Sequence, residues 1–122
     1  SRCVRLATYC GYPDAERDNR IMEMNFGDWE MKSFDEISDP RLKEWYADYI
    51  NVPATNGESF AIQYHRVASF LDELKEKNYE KVAIFAHGGV LICAQLYAGS
   101  IKQEEAFSAL TPYGGIIQLR LD

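Results

Sequence analysis

Cysteine is scarce: Cys3, Cys10 and Cys93 are the only three, and no two stand in a Cys-x-x-Cys spacing. An odd number without ligand spacing argues against a disulfide framework or a cysteine-built zinc site, and fits the reducing cytoplasm. Cys93 lies in an apolar stretch and reads as a small buried residue. There are only two histidines, His65 and His87. No apolar run approaches the ~18 residues that a membrane span needs, and no signal-peptide pattern is visible in these residues. No membrane partner is expected. Basic residues are outnumbered, 13 to 19, for a formal net charge of -6. That speaks against broad nucleic-acid binding, which needs a basic face. It does not speak against a small phosphorylated substrate, because bulk charge is screened over about 8 Å and a few local arginines dominate. The Gly88-Gly89 pair lacks the Gly-x-Gly-x-x-Gly pattern of a dinucleotide domain. No initiator Met precedes Ser1-Arg2-Cys3. Arg5 to Cys10 reads like mid-helix ended by Gly11, so an internal piece of a longer protein is expected.

What remains is an ordinary globular composition, 47% hydrophobic and 26% charged over 122 residues, enough for one domain with a real core. Gly11 to Asn19 is polar and turn-rich, and Ile21 to Trp29 reads as a loop or short strand. Ser33 and Glu36 have capping-box spacing. Pro40 suits the first position of a helix through Tyr49. Val52 to Ser59 is rich in turn formers. Phe60 to Lys77 is the clearest helix: Val67, Phe70, Leu71 and Leu74 share one face, and Asp72, Glu73, Lys75 and Glu76 the other. Val82 to Ala86 is a continuous apolar run, the look of a strand buried on both faces of a parallel sheet. A helix from Val90 to Ala98 ends at Gly99. Glu104 to Leu110 reads as a short helix and Ile116 to Leu121 as a final strand. Helices alternating with buried strands predict an α/β class.

His87 stands where the apolar strand stops and a helix starts. Ligands of open α/β sheets bind at such strand ends. Gly88 and Gly89 let backbone approach a ligand, and the helix N-terminus attracts anions. A histidine in an ordinary loop explains the same position equally well. His65 is mid-helix beside Arg66 and reads as structural. The stretch from Arg20 to Glu30 crowds Glu23, Asp28 and Glu30 with Phe26 and Trp29; by itself it reads as a solvated loop with core anchors. Asn56-Gly57-Glu58-Ser59 by itself reads as the start of a helix with Ser59 as its cap.

Taken in order, these segments resemble the histidine phosphatase superfamily, also called phosphoglycerate-mutase-like. Arg2-Cys3 with Leu6-Ala7 resembles the end of its Ser-Pro-Leu-x-Arg-[Ala/Cys]-x-x-Thr-Ala motif, with Leu6 for Thr. Glu23 to Glu30 resembles Glu-x-x-Phe-Gly-x-Trp-Glu-Gly, with Met31 in place of the last Gly. Gly57-Glu58-Ser59 resembles the Pro-x-Gly-Glu-Ser loop, with Pro53 displaced. Ala86-His87-Gly88-Gly89 resembles Thr-His-Gly-Gly, with Ala86 for Thr. The Gly27-Asp28-Trp29-Glu30 segment and the helix of Trp45 and Asp48 are most similar to bacterial α-ribazole phosphatases.

The resemblance implies a three-layer α-β-α fold with a mostly parallel sheet, forming one domain over residues 1–122 whose first strands are missing. It implies a phosphomonoester hydrolase working through a phosphohistidine, with α-ribazole 5′-phosphate of cobalamin nucleotide-loop synthesis as one substrate. Arg2 would bind phosphoryl oxygens, and His87 would donate to an equatorial oxygen. Glu23 would act as general acid and then base. Gly88, Glu58, Ser59 and Phe26 would line the substrate site, without a metal or cofactor. The family's nucleophile lies in an Arg-His-Gly tripeptide that these residues do not contain, so this chain alone is expected to be inactive. A homodimer or strand-swapped assembly would cover the sheet edges left open. Two alternatives stay within the family: a phosphoglycerate mutase, or a phosphatase of sugar phosphates such as fructose bisphosphate. A third is a non-catalytic binder of phosphorylated ligands, which the retained Glu23 disfavours. Trp45, Tyr46 and Tyr49 suit either ring stacking on a substrate or core packing.

Overall fold

Helix α1, Arg2–Tyr9, ends as its sequence demands. Gly11 takes φ +98°, a left-handed conformation open to glycine, and its N–H closes on the Thr8 carbonyl at 3.1 Å. The computed structural model describes residues 2–106, 108, 110–112 and 114–121. Three further helices follow: α2 (Arg41–Ala47), α3 (Phe60–Glu76) and α4 (Gly88–Ala98), with 3-10 turns at Asn19–Ile21, Gly27–Trp29, Phe34–Glu36 and Gln103–Glu105. The chain divides into two units, Ser1–Glu23 with Arg66–Asp122, and Met24–His65.

The Met24–His65 unit is built on aromatic packing. Trp29, Trp45 and Ala54 are buried, with Phe26, Ile37, Leu42, Tyr49 and Val52 packed against them. The Trp45 ring lies edge-on to Trp29 at 6.0 Å between centroids, a favoured aromatic geometry. Trp45, at 6% exposure, is therefore a core residue, whereas Tyr46 is 58% exposed. The capping box read at Ser33 is present. The Glu36 carboxylate accepts from the Ser33 hydroxyl at 2.9 Å and from its N–H at 3.5 Å.

The larger unit rests on α3 and α4, whose Val67, Leu71, Val90, Ile92 and Cys93 are buried. The Tyr97 hydroxyl of α4 donates to the Asp72 carboxylate of α3. Helix α4 ends at Gly99, φ +75°, as read from the sequence, and α3 is followed by Asn78 at φ +54°.

The α/β expectation is overturned. Among the described residues there is no strand and no sheet. Val82 to Ala86 is neither paired nor buried on both faces: Val82 is 49% and Ile84 37% exposed. Ile116 to Leu121 is likewise unpaired, with Ile116 86% exposed. The reason is physical. An apolar, β-branched run has strand propensity, but a strand exists only when its N–H and C=O groups meet a neighbour about 4.8 Å away. No described segment supplies one. The two segments instead border, with α3 and α4, an open cavity of about 550 Å³ lined by Leu71, Leu74, Ile84, Val90, Ala94 and Leu119. Of the short helix expected over Glu104 to Leu110, the described residues show the 3-10 turn Gln103–Glu105; Phe107 and Ala109 lie outside the described residues.

Candidate active site

His87 is the N-cap residue of α4, extended at φ −98° and ψ 165°, and its carbonyl accepts the Leu91 N–H at 3.0 Å. Gly88 and Gly89 form the first turn of the helix. A Cβ at Gly88 would sit 2.7 Å from the Leu110 side chain, so glycine keeps this turn uncrowded. The free N–H groups of a helix start need acceptors, and the dipole there favours negative charge. Glu23 meets both needs: its Oε2 accepts from the Gly89 N–H at 3.3 Å.

Helix α1 supplies the other side of His87. Cys3 Sγ lies 3.5 Å from His87 Nε2. Burial raises the Cys3 pKa; the Arg2 guanidinium opposes that rise and the Glu23 carboxylate adds to it. The thiol is therefore held neutral beside the imidazole. Arg2 precedes it as the first residue of α1, with an exposed side chain. Thus Cys3, Glu23, His87 and Gly89 gather around the start of α4, with Arg2 next to Cys3 on α1, within one unit.

Glu23 is held from behind by Arg66 of α3. Its guanidinium donates to the carbonyls of Arg20 at 2.9 Å, Met22 at 2.6 Å and Glu23 at 3.1 Å. Sequence reading gave Arg66 no role and quoted Cys3 only as part of the Arg2-Cys3 motif. Their contacts have no local signal: Arg66 meets residues 43 to 46 positions away, and Cys3 a residue 84 positions away.

Phe26, Glu58 and Ser59 belong to the Met24–His65 unit. There, residues 25–28 and 55–58 press backbone against backbone. The Glu58 N–H donates to the Asn25 carbonyl at 2.7 Å, and Glu58 Oε1 accepts the Asn25 N–H at 2.8 Å. The Asp28 N–H reaches the Thr55 carbonyl at 2.9 Å. Two glycines make this approach feasible. A Cβ would lie 2.2 Å from Thr55 O at Gly27, and 2.5 Å from Asn25 O at Gly57. Ser59 is buried, and its hydroxyl accepts the Ile62 N–H at 3.2 Å, the capping geometry of a helix start. Phe26 packs near Trp45, 6.4 Å between ring centroids. His65 is exposed on α3.

Among the described residues, no three His, Cys, Asp or Glu side chains are grouped to hold a metal ion. No helix there is long and apolar enough to cross a membrane. An imidazole and a carboxylate converging on a helix N-terminus beside an arginine make a centre suited to a phosphoryl group.

The chain belongs to the histidine phosphatase superfamily, branch 1, whose family model matches residues 1–122. It is similar to a protein of Hydrogenobacter thermophilus named putative phosphoserine phosphatase 2, at 28% identity over 86% of this chain and 53% of the relative. It is 34% identical to the adenosylcobalamin/alpha-ribazole phosphatase of Escherichia coli, over 58% of this chain and 37% of the relative. Among solved structures, the alpha-ribazole phosphatase from Shigella flexneri superposes with a TM-score of 0.72 at 25% identity, covering 89% of this chain and 55% of that one. The chain thus spans about half the length, or less, of the relatives it matches.

Proposed function

We propose that the protein is a phosphomonoester hydrolase that passes the phosphoryl group through a phosphohistidine, and that α-ribazole 5′-phosphate is its substrate. The observation that carries this reading is the Glu23 carboxylate docked on the Gly89 N–H, two residues along the chain from His87. A binding protein for phosphate gains nothing from a carboxylate there, since like charges repel. A phosphatase needs one to move a proton.

In the first step a histidine nitrogen attacks phosphorus and the ester P–O bond breaks. The departing alkoxide takes a proton from Glu23. In the second step Glu23 accepts a proton from water as its oxygen attacks phosphorus, and the P–N bond breaks. Arg2 would hold phosphoryl oxygens, and His87 would donate to the charge that spreads over them. The nucleophile would be a histidine in an Arg-His-Gly tripeptide, which these 122 residues do not contain. His65, exposed on α3, lacks that context. The 122 residues alone are therefore expected to turn over at background. Hydrolysis is favoured over mutase chemistry because the relatives reported above are named phosphatases.

The test is phosphate release by the protein at its full natural length from α-ribazole 5′-phosphate, phosphoserine and 3-phosphoglycerate. Release from α-ribazole 5′-phosphate is expected, with His87→Ala lowering kcat on the order of 10²- to 10³-fold. Phosphoserine as the better substrate would transfer the reading to the second named activity. Isomerisation of 3-phosphoglycerate without phosphate release would overturn it.

A further inference from the structure

One face of α3 carries a strap. Residues Arg66, Phe70 and Glu73 stand at i, i+4 and i+7, the spacing of a single helical stripe. The segment 18–23 lies along it. At one end, Arg20 Nη2 pairs with Glu73 at 2.8 Å and with Asp18 at 2.8 Å, its guanidinium 5.4 Å from the Phe70 ring centroid. At the other end, Arg66 binds the carbonyls of Arg20, Met22 and Glu23. Beyond the second attachment the Glu23 side chain leaves for the Gly89 N–H.

From this we infer that Arg66 is a positioning residue for Glu23. It fixes the backbone from which the carboxylate projects, and so sets where the proton-transferring oxygen stands against the start of α4. This rests on the reading of Glu23 as the proton donor. The guanidinium is suited to the task because its planar fork satisfies several acceptors at once, which a lysine ammonium does not reproduce. Residues 19–23 form one 3-10 turn followed by chain without regular secondary structure. Without Arg66, three carbonyls lose a charged donor, and the Glu23 backbone is free to move by the ångström or so that costs on the order of 10²-fold in a catalytic step.

The experiment compares Arg66→Ala and Arg66→Lys with the parent and with Glu23→Gln, using two readouts. The first is the amide proton shift of Gly89 by NMR, which reports the carboxylate contact without needing activity. The second is kcat and KM for phosphomonoester hydrolysis by the full-length protein. For R66A, the Gly89 amide is expected to move toward its position in E23Q. Its kcat should fall on the order of 10²-fold, with KM within about twofold. R66K should shift both readouts in the same direction, and it is the variant that decides if R66A does not fold. A Gly89 amide unmoved in the folded variant would overturn the role of Arg66, and so would a kcat equal to the parent's. A parent protein inactive on every phosphomonoester would sink the functional reading instead; the amide shift would still decide whether Arg66 positions Glu23.

Discussion

The Gly89 N–H donates to Glu23 Oε2 at 3.3 Å, joining residues 66 positions apart at the N-terminus of α4. This contact orients the carboxylate against the start of α4. Glu23→Gln preserves the shape and an acceptor oxygen but cannot cycle a proton. In the full-length protein it is expected to lower kcat on the order of 10²- to 10⁴-fold, with substrate binding retained. Steady-state kinetics on α-ribazole 5′-phosphate would check this. Unchanged kcat would remove Glu23 from the mechanism.

The three cysteines should react in a defined order. Cys10 is exposed, Cys3 is partly buried with its pKa raised by burial, and Cys93 is fully buried. The thiolate is the reactive form, so a raised pKa slows alkylation at any pH below it. Iodoacetamide at pH 8 followed by peptide mass spectrometry should show Cys10 labelled first, Cys3 later and Cys93 last. Cys3 labelling ahead of Cys10 would contradict its placement beside His87.

Gly57 has little steric freedom. An added Cβ would lie 2.5 Å from Asn25 O and 2.7 Å from Gly27 N. Gly57→Ala must therefore push residues 25–27 away and break the paired Asn25–Glu58 hydrogen bonds. A loss of about 1–3 kcal/mol is expected in urea unfolding, the range for overpacking. A midpoint equal to the parent's would show that the two loops do not pack this closely.

Asp39 supplies a pH signature. Its pKa is lowered, first by the Thr55 hydroxyl at 2.5 Å and then by the Arg41 N–H at 2.9 Å, with the Trp29 indole N–H adding to the effect. A carboxylate with a depressed folded pKa contributes stability that is fully present above its unfolded value of about 3.9. That contribution is lost as pH falls through the folded value. The Tm gap between the parent and Asp39→Asn should therefore be constant from pH 8 to 5 and close below about pH 4. A gap that widens on acidification would refute the assignment.

Several elements were legible because their causes are local. The apolar stripe of α3 announces a period of 3.6, and Gly11 and Gly99 mark helix ends because left-handed φ is cheap only for glycine. Ser33 and Glu36 find each other within one turn. The motif order at Glu23, Gly57-Glu58-Ser59 and His87 pointed to the family that the whole chain matches. Ser59 caps α3, as its place before the helix announced, because its hydroxyl meets an N–H one turn on.

Val82 to Ala86 shows where such reading stops. Its composition carries strand propensity, yet pairing belongs to two segments at once, and among the described residues the second is not there. Trp45 shows the same limit: substrate stacking and core packing were equal readings until the rings around it fixed its place in the core. Composition, periodicity and motif order were enough to find the helices α1 to α4, the glycines that end α1 and α4, and the family, because helices and their ends depend on neighbours within a few turns and the motifs stand in order along the chain. Only the tertiary structure decided that Cys3 faces His87, that Arg66 straps the Glu23 backbone, and that the apolar runs stand unpaired among the described residues. Those depend on which distant segments meet, and no spacing along the chain records that.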